Sequence, residues 1–248
     1  MKTKWDYTSL AASYIDRPPY SELAIDQMLS LTSTCEGGKV CDVGAGVGHL
    51  TLPLFERSMN IVAVEPNSEM RKIGIKRTEI KCPGILWCEG TGEHTGQNKN
   101  QFDLVTFGSS FNVTDRLKAL LESQRILKHN GWFACMWNYR DLLDPLQAEI
   151  EKIIRSYVPE YSHGIRREDQ SKIIKNSGAF KDPIIFEDEI IQTVDAVAWL
   201  EAWRSHATLI RQSEGTLDLI IKAIEGILFQ KSSIKVPYVT RGWVAQRK

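Results

Sequence analysis

Val40-Cys41-Asp42-Val43-Gly44-Ala45-Gly46-Val47-Gly48-His49-Leu50 is the stretch on which the fold turns. A run of strand type enters three glycines at alternate positions, and a segment of helical period follows. Glycine reaches positive φ and carries no Cβ, so the backbone can come close to a ligand, while the N-terminus of the following helix offers N–H donors. The expected local structure is a buried strand over 39–43, a tight turn, and a helix over 49–57. Asp42 stands two residues before the first glycine. Glu65 closes the next strand-like run 23 residues later, where open α/β folds hold the two ribose hydroxyls of a nucleoside. Together these features specify an adenosine-containing cofactor. The dinucleotide fingerprint Gly-x-Gly-x-x-Gly/Ala requires a small residue where this chain has His49, which disfavours a nicotinamide dinucleotide.

Outward from the glycines the chain alternates. Residues 39–43, 60–65, 85–88, 102–107 and 131–137 are short apolar runs bounded by turn or polar residues, expected as buried parallel strands. Segments of helical period lie between them at 49–57, 68–76 and 116–127, the last ending in Lys128-His129-Asn130-Gly131 as a stop signal. This alternation predicts an α/β fold, a Rossmann-like doubly wound sheet. Beyond residue 139 the rhythm changes: helices are expected at 142–157, 166–176, 196–209 and 217–229, with strands at 184–191 and 236–246. The first 30 residues form a mainly helical lead-in, broken at Arg17-Pro18-Pro19. With no repeat, linker or low-complexity tract in view, residues 1–248 are expected as one domain: 1–30 an N-terminal lid, 31–138 the cofactor-binding core, 139–248 acceptor-side helices and the last two strands.

Composition supports a globular chain. Of 248 residues, 42% are hydrophobic and 25% charged, enough apolar content for a sizeable core. Lys plus Arg and Asp plus Glu both number 31, a net charge of zero that gives no global attraction to a polyanion, so neither nucleic acid nor membrane is an expected partner. The opening residues lack the apolar run of a signal peptide, and a cytoplasmic location is expected. The five cysteines are odd in number and form no Cys-x-x-Cys pair, so neither a disulfide framework nor a cysteine zinc site is expected, and no metal cluster shows in the spacing.

The glycine stretch resembles motif I of the class I S-adenosylmethionine (SAM) methyltransferases, and the resemblance continues in order. Val64-Glu65-Pro66-Asn67-Ser68-Glu69-Met70 resembles their acidic motif after strand 2, Glu89-Gly90-Thr91-Gly92-Glu93 their adenine-side loop, and Arg125-Ile126-Leu127-Lys128-His129-Asn130-Gly131 their turn before strand 5. Tyr14 with Arg17-Pro18-Pro19-Tyr20, and Trp137-Asn138-Tyr139-Arg140-Asp141, are similar to the trans-aconitate-methyltransferase-like (methyltransferase type 11) small-molecule group. One departure stands out: Gly108-Ser109-Ser110-Phe111-Asn112-Val113 replaces the aromatic-His-Trp sequence many such enzymes carry after strand 4. The resemblance implies SAM as cofactor and S-adenosylhomocysteine as product. It places Asp42, Gly44, Ala45, Gly46, Gly48, Glu65, Pro66, Met70, Gly92, Glu93 and Gly108 at the cofactor, with Tyr7, Tyr14, Arg17 and Tyr20 as contacts from the lid.

Methyl transfer from a sulfonium is an in-line displacement, so alignment and exclusion of water are the protein's main tasks. An ionised carboxylate or phosphoryl oxygen needs no base, whereas a hydroxyl or protonated amine does. The expected acceptor is a small anionic metabolite methylated on oxygen. Ser109, Ser110, Asn112, Asn138, Arg140, Trp203, Arg204 and His206 are the candidate acceptor residues, with Arg140, Arg204 and His206 in the catalytic role, because arginine pairs planar anions. N-methylation or hydroxyl O-methylation is the rival within the class, with His94, His163 and His206 as candidate bases. A SAM-binding protein without turnover is the alternative outside catalysis.

Overall fold

A computed structural model describes residues 8, 11, 13–80, 82–204 and 206–248. Tyr7 and Ser205 lie outside the described residues. Nine α-helices and seven strands are present among them: α1 (Glu22–Leu31), β1 (Lys39–Val43), α2 (Thr51–Glu56), β2 (Asn60–Val64), α3 (Ser68–Thr78), β3 (Leu86–Cys88), β4 (Phe102–Gly108), α4 (Arg116–Ile126), β5 (Leu127–Arg140), α5 (Pro145–Tyr157), α6 (Ser171–Asn176), β6 (Ile184–Asp195), α7 (Ala196–Arg204), α8 (Ala207–Gln212), α9 (Leu217–Leu228) and β7 (Ser233–Gln246).

The strands form one mixed sheet in the order β3-β2-β1-β4-β5-β7-β6. β1 pairs in parallel with β2 and β4, β2 with β3, and β4 with β5. β7 runs against β5: Asp141 N–H donates to Pro237 O, and Arg247 N–H to Gly131 O. Strand order reverses on either side of β1, so the C-terminal ends of β1 and β4 flank the topological switch point where open α/β sheets place ligands. The Rossmann-like α/β architecture expected from the alternation is the one observed.

The chain separates into two compact units. The first comprises 1–138, 168–188 and 240–248; the second comprises 139–167 and 189–239. In the first, α1 presents Ile25, Met28 and Leu29 to a core shared with Val40, Leu54, Ile61, Leu104 and Met136. Phe107, Phe111, Phe133 and Phe180 form a second cluster, with ring centroids 5.3–5.6 Å apart. In the second unit, α9 turns Ile220, Ile221, Ile224 and Leu228 toward Ile150 and Ile154 of α5 and Trp199 and Trp203 of α7.

Helix starts follow local chemistry. The side chains of Ser21, Asn67, Asp115 and Asp144 accept N–H bonds at the heads of α1, α3, α4 and α5, and Pro145 occupies the first turn of α5. Three elements differ from expectation. The single helix expected over 196–209 is two, because His206 adopts an extended backbone and its Nδ1 accepts the Leu209 N–H, starting a new helix. Of the helix expected over 166–176, the segment Ser171–Asn176 is α-helical, preceded by a 3-10 turn at Gly164–Arg167. Asp169 ties the intervening loop down by accepting from the Ser171 N–H and the Trp243 indole. The stop signal after α4 does end that helix at Ile126, but its residues enter β5 directly, through a register shift between Phe102 and Leu104. All five cysteines are free thiols.

Candidate active site

In the first unit, β1 delivers Gly44, Gly46 and Gly48 in left-handed backbone, at φ +67°, +58° and +90°. The three differ in what surrounds them. A Cβ on Gly44 would lie 2.4 Å from Ser110 Cβ, so close approach of the loop after β4 demands glycine there. A Cβ on Gly46 would meet nothing nearer than Met70 Sδ at 3.7 Å, leaving the peptide edge uncrowded. Ala45 is buried beside them.

Glu65 fixes the turn from the end of β2. Its Oε2 accepts the Gly46 N–H and its Oε1 the Asn67 N–H, both at 2.8 Å. Burial raises its pKa, against the pull of those two bonds and of the Arg71 guanidinium. Arg71 Nη1 in turn donates to the Glu65 carbonyl oxygen and, at 3.4 Å, to that of Pro66. A carboxylate oxygen accepts more than one hydrogen bond, so each oxygen of Glu65 keeps acceptor capacity for a vicinal diol. The cradle therefore fits an adenosyl cofactor: Gly46 leaves its peptide edge uncrowded, and Glu65 has acceptor capacity to spare for a vicinal diol.

Asp42 has a different place from the cofactor contact expected of it. It is 1% exposed, with Oδ2 accepting from Thr51 at 2.6 Å and Oδ1 from Thr106 at 3.0 Å. It ties β1 to α2 and β4 beneath the turn, and burial pushes its pKa up to about 6, against those two hydroxyl bonds. Met70 is likewise a packing residue, in contact with Ala11 and Val47 and flanked by Tyr14 and Ile73. Gly92 packs against Thr114, where a Cβ would stand 2.6 Å from Thr114 Cγ2. Glu93 accepts the Asp115 N–H at the head of α4, a capping role. Gly108 leaves room for the Tyr20 hydroxyl and Leu50.

The lead-in is latched to this framework. His49, the residue that displaces the dinucleotide pattern, holds the Tyr14 carbonyl at 2.6 Å through Nε2. Arg17 stacks 3.6 Å over the Tyr14 ring. The Tyr20 hydroxyl meets Ser109 Oγ at 2.8 Å.

The expected acceptor residues of this unit are largely engaged with the protein. Ser110 donates to the Val43 carbonyl oxygen, and Asn112 accepts from the Trp137 indole. Asn138 spends its amide on Pro18 and Pro19, donating to both carbonyls, while its Oδ1 accepts from Thr240. Asn138 is thus the clamp of the Pro-Pro segment and has no donor left for an acceptor molecule.

The second unit holds the remaining candidates, and it divides them. Arg140 lies 4.1 Å over the Trp203 ring and donates to Gln147 Oε1 at 3.1 Å. Burial pulls its pKa down to about 10, opposed chiefly by Tyr161. Trp203 in turn meets the His206 ring at a tilt of 41°, centroids 5.2 Å apart. Arg204 does not join them: it pairs with Glu201 one turn back on α7 and is 43% exposed. His206, whose Nδ1 accepts the Leu209 N–H, is held as a helix cap and in the neutral ring has its proton on Nε2. His163 Nε2 lies 3.1 Å from Glu151 Oε1, and burial lowers its pKa. Gln147, Glu151 and Tyr161 were not singled out by sequence; they sit in a helix and a loop with no motif around them.

Residues 41–135 match a family model described as a methyltransferase domain. That segment resembles a methyltransferase domain. S-adenosylmethionine is the cofactor that goes with it, in agreement with the cradle. Over 125 residues the chain is 34% identical to an uncharacterised methyltransferase of Mycobacterium tuberculosis, covering 50% of this chain and 48% of that protein. The chain spans about half the length of the curated relatives it matches. The fold is similar to that of a type II methyltransferase from Anaeromyxobacter dehalogenans, with TM-score 0.64, 18% identity, and 93% and 96% of the two chains covered. It is also similar to phosphoethanolamine N-methyltransferase 2 of Haemonchus contortus, solved with S-adenosylhomocysteine, with TM-score 0.55, 14% identity, and 96% of this chain and 56% of that one covered. The matched segment thus runs from β1 into β5, the part of the sheet that carries the glycine turn and Glu65. Among the described residues, no group of His, Cys, Asp or Glu could hold a metal ion, and no helix is long and apolar enough to cross a membrane.

Proposed function

We propose that the protein is a SAM-dependent methyltransferase acting on oxygen of a small anionic metabolite, a carboxylate or phosphoryl-type group, as in the trans-aconitate-methyltransferase-like enzymes. The observation that supports the anionic acceptor is Arg140, a cation largely withdrawn from water and stacked on Trp203, with a neutral amide as its hydrogen-bond partner. SAM, when bound, supplies an activated methyl on sulfur. Glu65 holds the ribose, and the glycine turn admits the cofactor beside the ends of β1 and β2. The lead-in, latched through His49 and Tyr20, excludes water from the cradle. Alignment of this kind can lower a barrier by roughly 7 to 11 kcal/mol. An anionic oxygen is already a nucleophile, which accords with His206 being occupied as a helix cap.

The test is turnover. The protein is incubated with labelled SAM and a panel of small carboxylic acids, phosphate esters, amines and phenols, and S-adenosylhomocysteine formation is followed. Turnover confined to the acids or phosphate esters, with KM raised at least tenfold in Arg140→Gln, supports the reading. Turnover confined to amines or phenols replaces it with the rival within the class.

A further inference from the structure

The second unit contains four sealed polar atoms without a hydrogen-bond partner in the protein: Gln147 Nε2, Glu151 Oε2, Tyr161 Oη and Trp203 Nε1. Gln147, Tyr161 and Trp203 are more than nine-tenths buried, and the Glu151 side chain is 11% exposed. Buried polar groups are satisfied in the great majority of cases, and four orphans within one small unit point to something that is meant to occupy them. They also belong together. Arg140 stacks on Trp203 and bonds Gln147, and both Tyr161 and Glu151 act electrostatically on Arg140. Among the described residues Arg140 forms no ion pair with a carboxylate: the Oε1 of Glu151 is taken by Arg155 and His163.

The chemistry of the orphans is asymmetric. Gln147 Nε2, Tyr161 Oη and Trp203 Nε1 can donate, and Arg140 adds a positive charge that forms no ion pair among the described residues. The Oε2 of the Glu151 carboxylate can only accept. Three donors and a cation ask for an anionic oxygen group, and the one acceptor asks for a hydrogen on the same molecule.

We infer that Arg140, Gln147, Tyr161, Trp203 and Glu151 form a binding site for a small carboxylic acid that also carries a hydroxyl or ammonium group. The carboxylate takes the hydrogen bonds of Gln147, Tyr161 and Trp203 and the charge of Arg140, and the hydroxyl or ammonium donates to Glu151. As the acceptor site, this rests on the methyltransferase reading; as a binding site it does not. It names Gln147, Glu151 and Tyr161 as specificity-determining residues.

Four probes on one three-carbon skeleton separate the contributions: lactate and alanine carry both features, propionate lacks the donor, and lactamide lacks the charge. Binding to the full-length protein is measured by calorimetry and thermal shift, with S-adenosylhomocysteine titrated in parallel. Lactate or alanine should bind in the millimolar range, propionate at least fivefold and lactamide at least tenfold more weakly. Tyr161→Phe removes an orphan without changing shape. It should raise the melting temperature of the unliganded protein by about 2–4 °C and weaken the best probe at least fivefold, leaving S-adenosylhomocysteine affinity unchanged. A purely structural hydroxyl would give the opposite, a lower melting temperature with probe binding intact. That result overturns the inference, as does lactamide binding as well as lactate, or S-adenosylhomocysteine binding with no probe bound. Probe binding without S-adenosylhomocysteine binding upholds the site and overturns the methyltransferase reading.

Discussion

Replacing Asp42 by Asn should change how stability depends on pH, by an amount set by where the carboxylate sits. In the fold its pKa rises from 3.8 to about 6, because burial outweighs the hydroxyl bonds from Thr51 and Thr106. The folded state thus binds the proton more tightly than the unfolded state. The stability that Asp42 contributes is fully present below about pH 4 and is lost as pH rises through about 6. At ~1.36 kcal/mol per pH unit the whole loss is about 3 kcal/mol, of which about 2 kcal/mol falls between pH 4.5 and 7.5. Asn carries no titrating charge, so the stability of Asp42→Asn relative to wild type should rise by about 2 kcal/mol over that interval. Other acids titrate alike in both proteins and cancel. Urea denaturation followed by fluorescence of the seven tryptophans at several pH values measures the difference. A difference constant to within about 0.5 kcal/mol would show that Asp42 titrates normally and that the placement beneath the glycine turn is incorrect.

Gly44→Ala puts a methyl 2.4 Å from Ser110 Cβ at a residue of φ +67°, and should weaken S-adenosylhomocysteine binding at least tenfold by calorimetry. Asn138→Ala leaves the carbonyls of Pro18 and Pro19 without their donor; limited proteolysis should then cut near residues 17–20 faster than in wild type. Arg204→Ala removes an exposed pair within α7, worth at most about 0.5 kcal/mol; the melting temperature should stay within about 2 °C of wild type and kcat/KM within about twofold, in contrast to Arg140→Gln.

The sheet and the cofactor cradle were legible in the sequence because both are written locally. Apolar runs of strand length between helical periods name β1 to β5, and the three glycines with Glu65 23 residues after Asp42 mark the turn. What was not legible depended on partners distant in sequence. Asp42 reads as a ligand contact until Thr51 and Thr106 are seen to close over it, and Asn138 reads as an acceptor ligand until Pro18, Pro19 and Thr240 are found around it. Arg140 and Arg204 look equivalent in sequence. They part because Arg140 stacks on the buried Trp203 while Arg204, the very next residue after Trp203, is turned into solvent on α7. Gln147, Glu151 and Tyr161 carry no motif, and their unpartnered atoms are visible only once α5 and its neighbours are packed.

Calorimetric titration of the full-length protein with S-adenosylhomocysteine and with NADH, repeated on Glu65→Ala, tests the central claim most directly. Hydrogen bonds to a charged group contribute about 1.5–3 kcal/mol, which corresponds to roughly one to two orders of magnitude in the dissociation constant. The account predicts micromolar S-adenosylhomocysteine binding, no measurable NADH binding, and a 10- to 100-fold loss of affinity in the folded Glu65→Ala variant, roughly the span of those hydrogen-bond energies. NADH binding in preference to S-adenosylhomocysteine, or an unchanged affinity in Glu65→Ala, would contradict it.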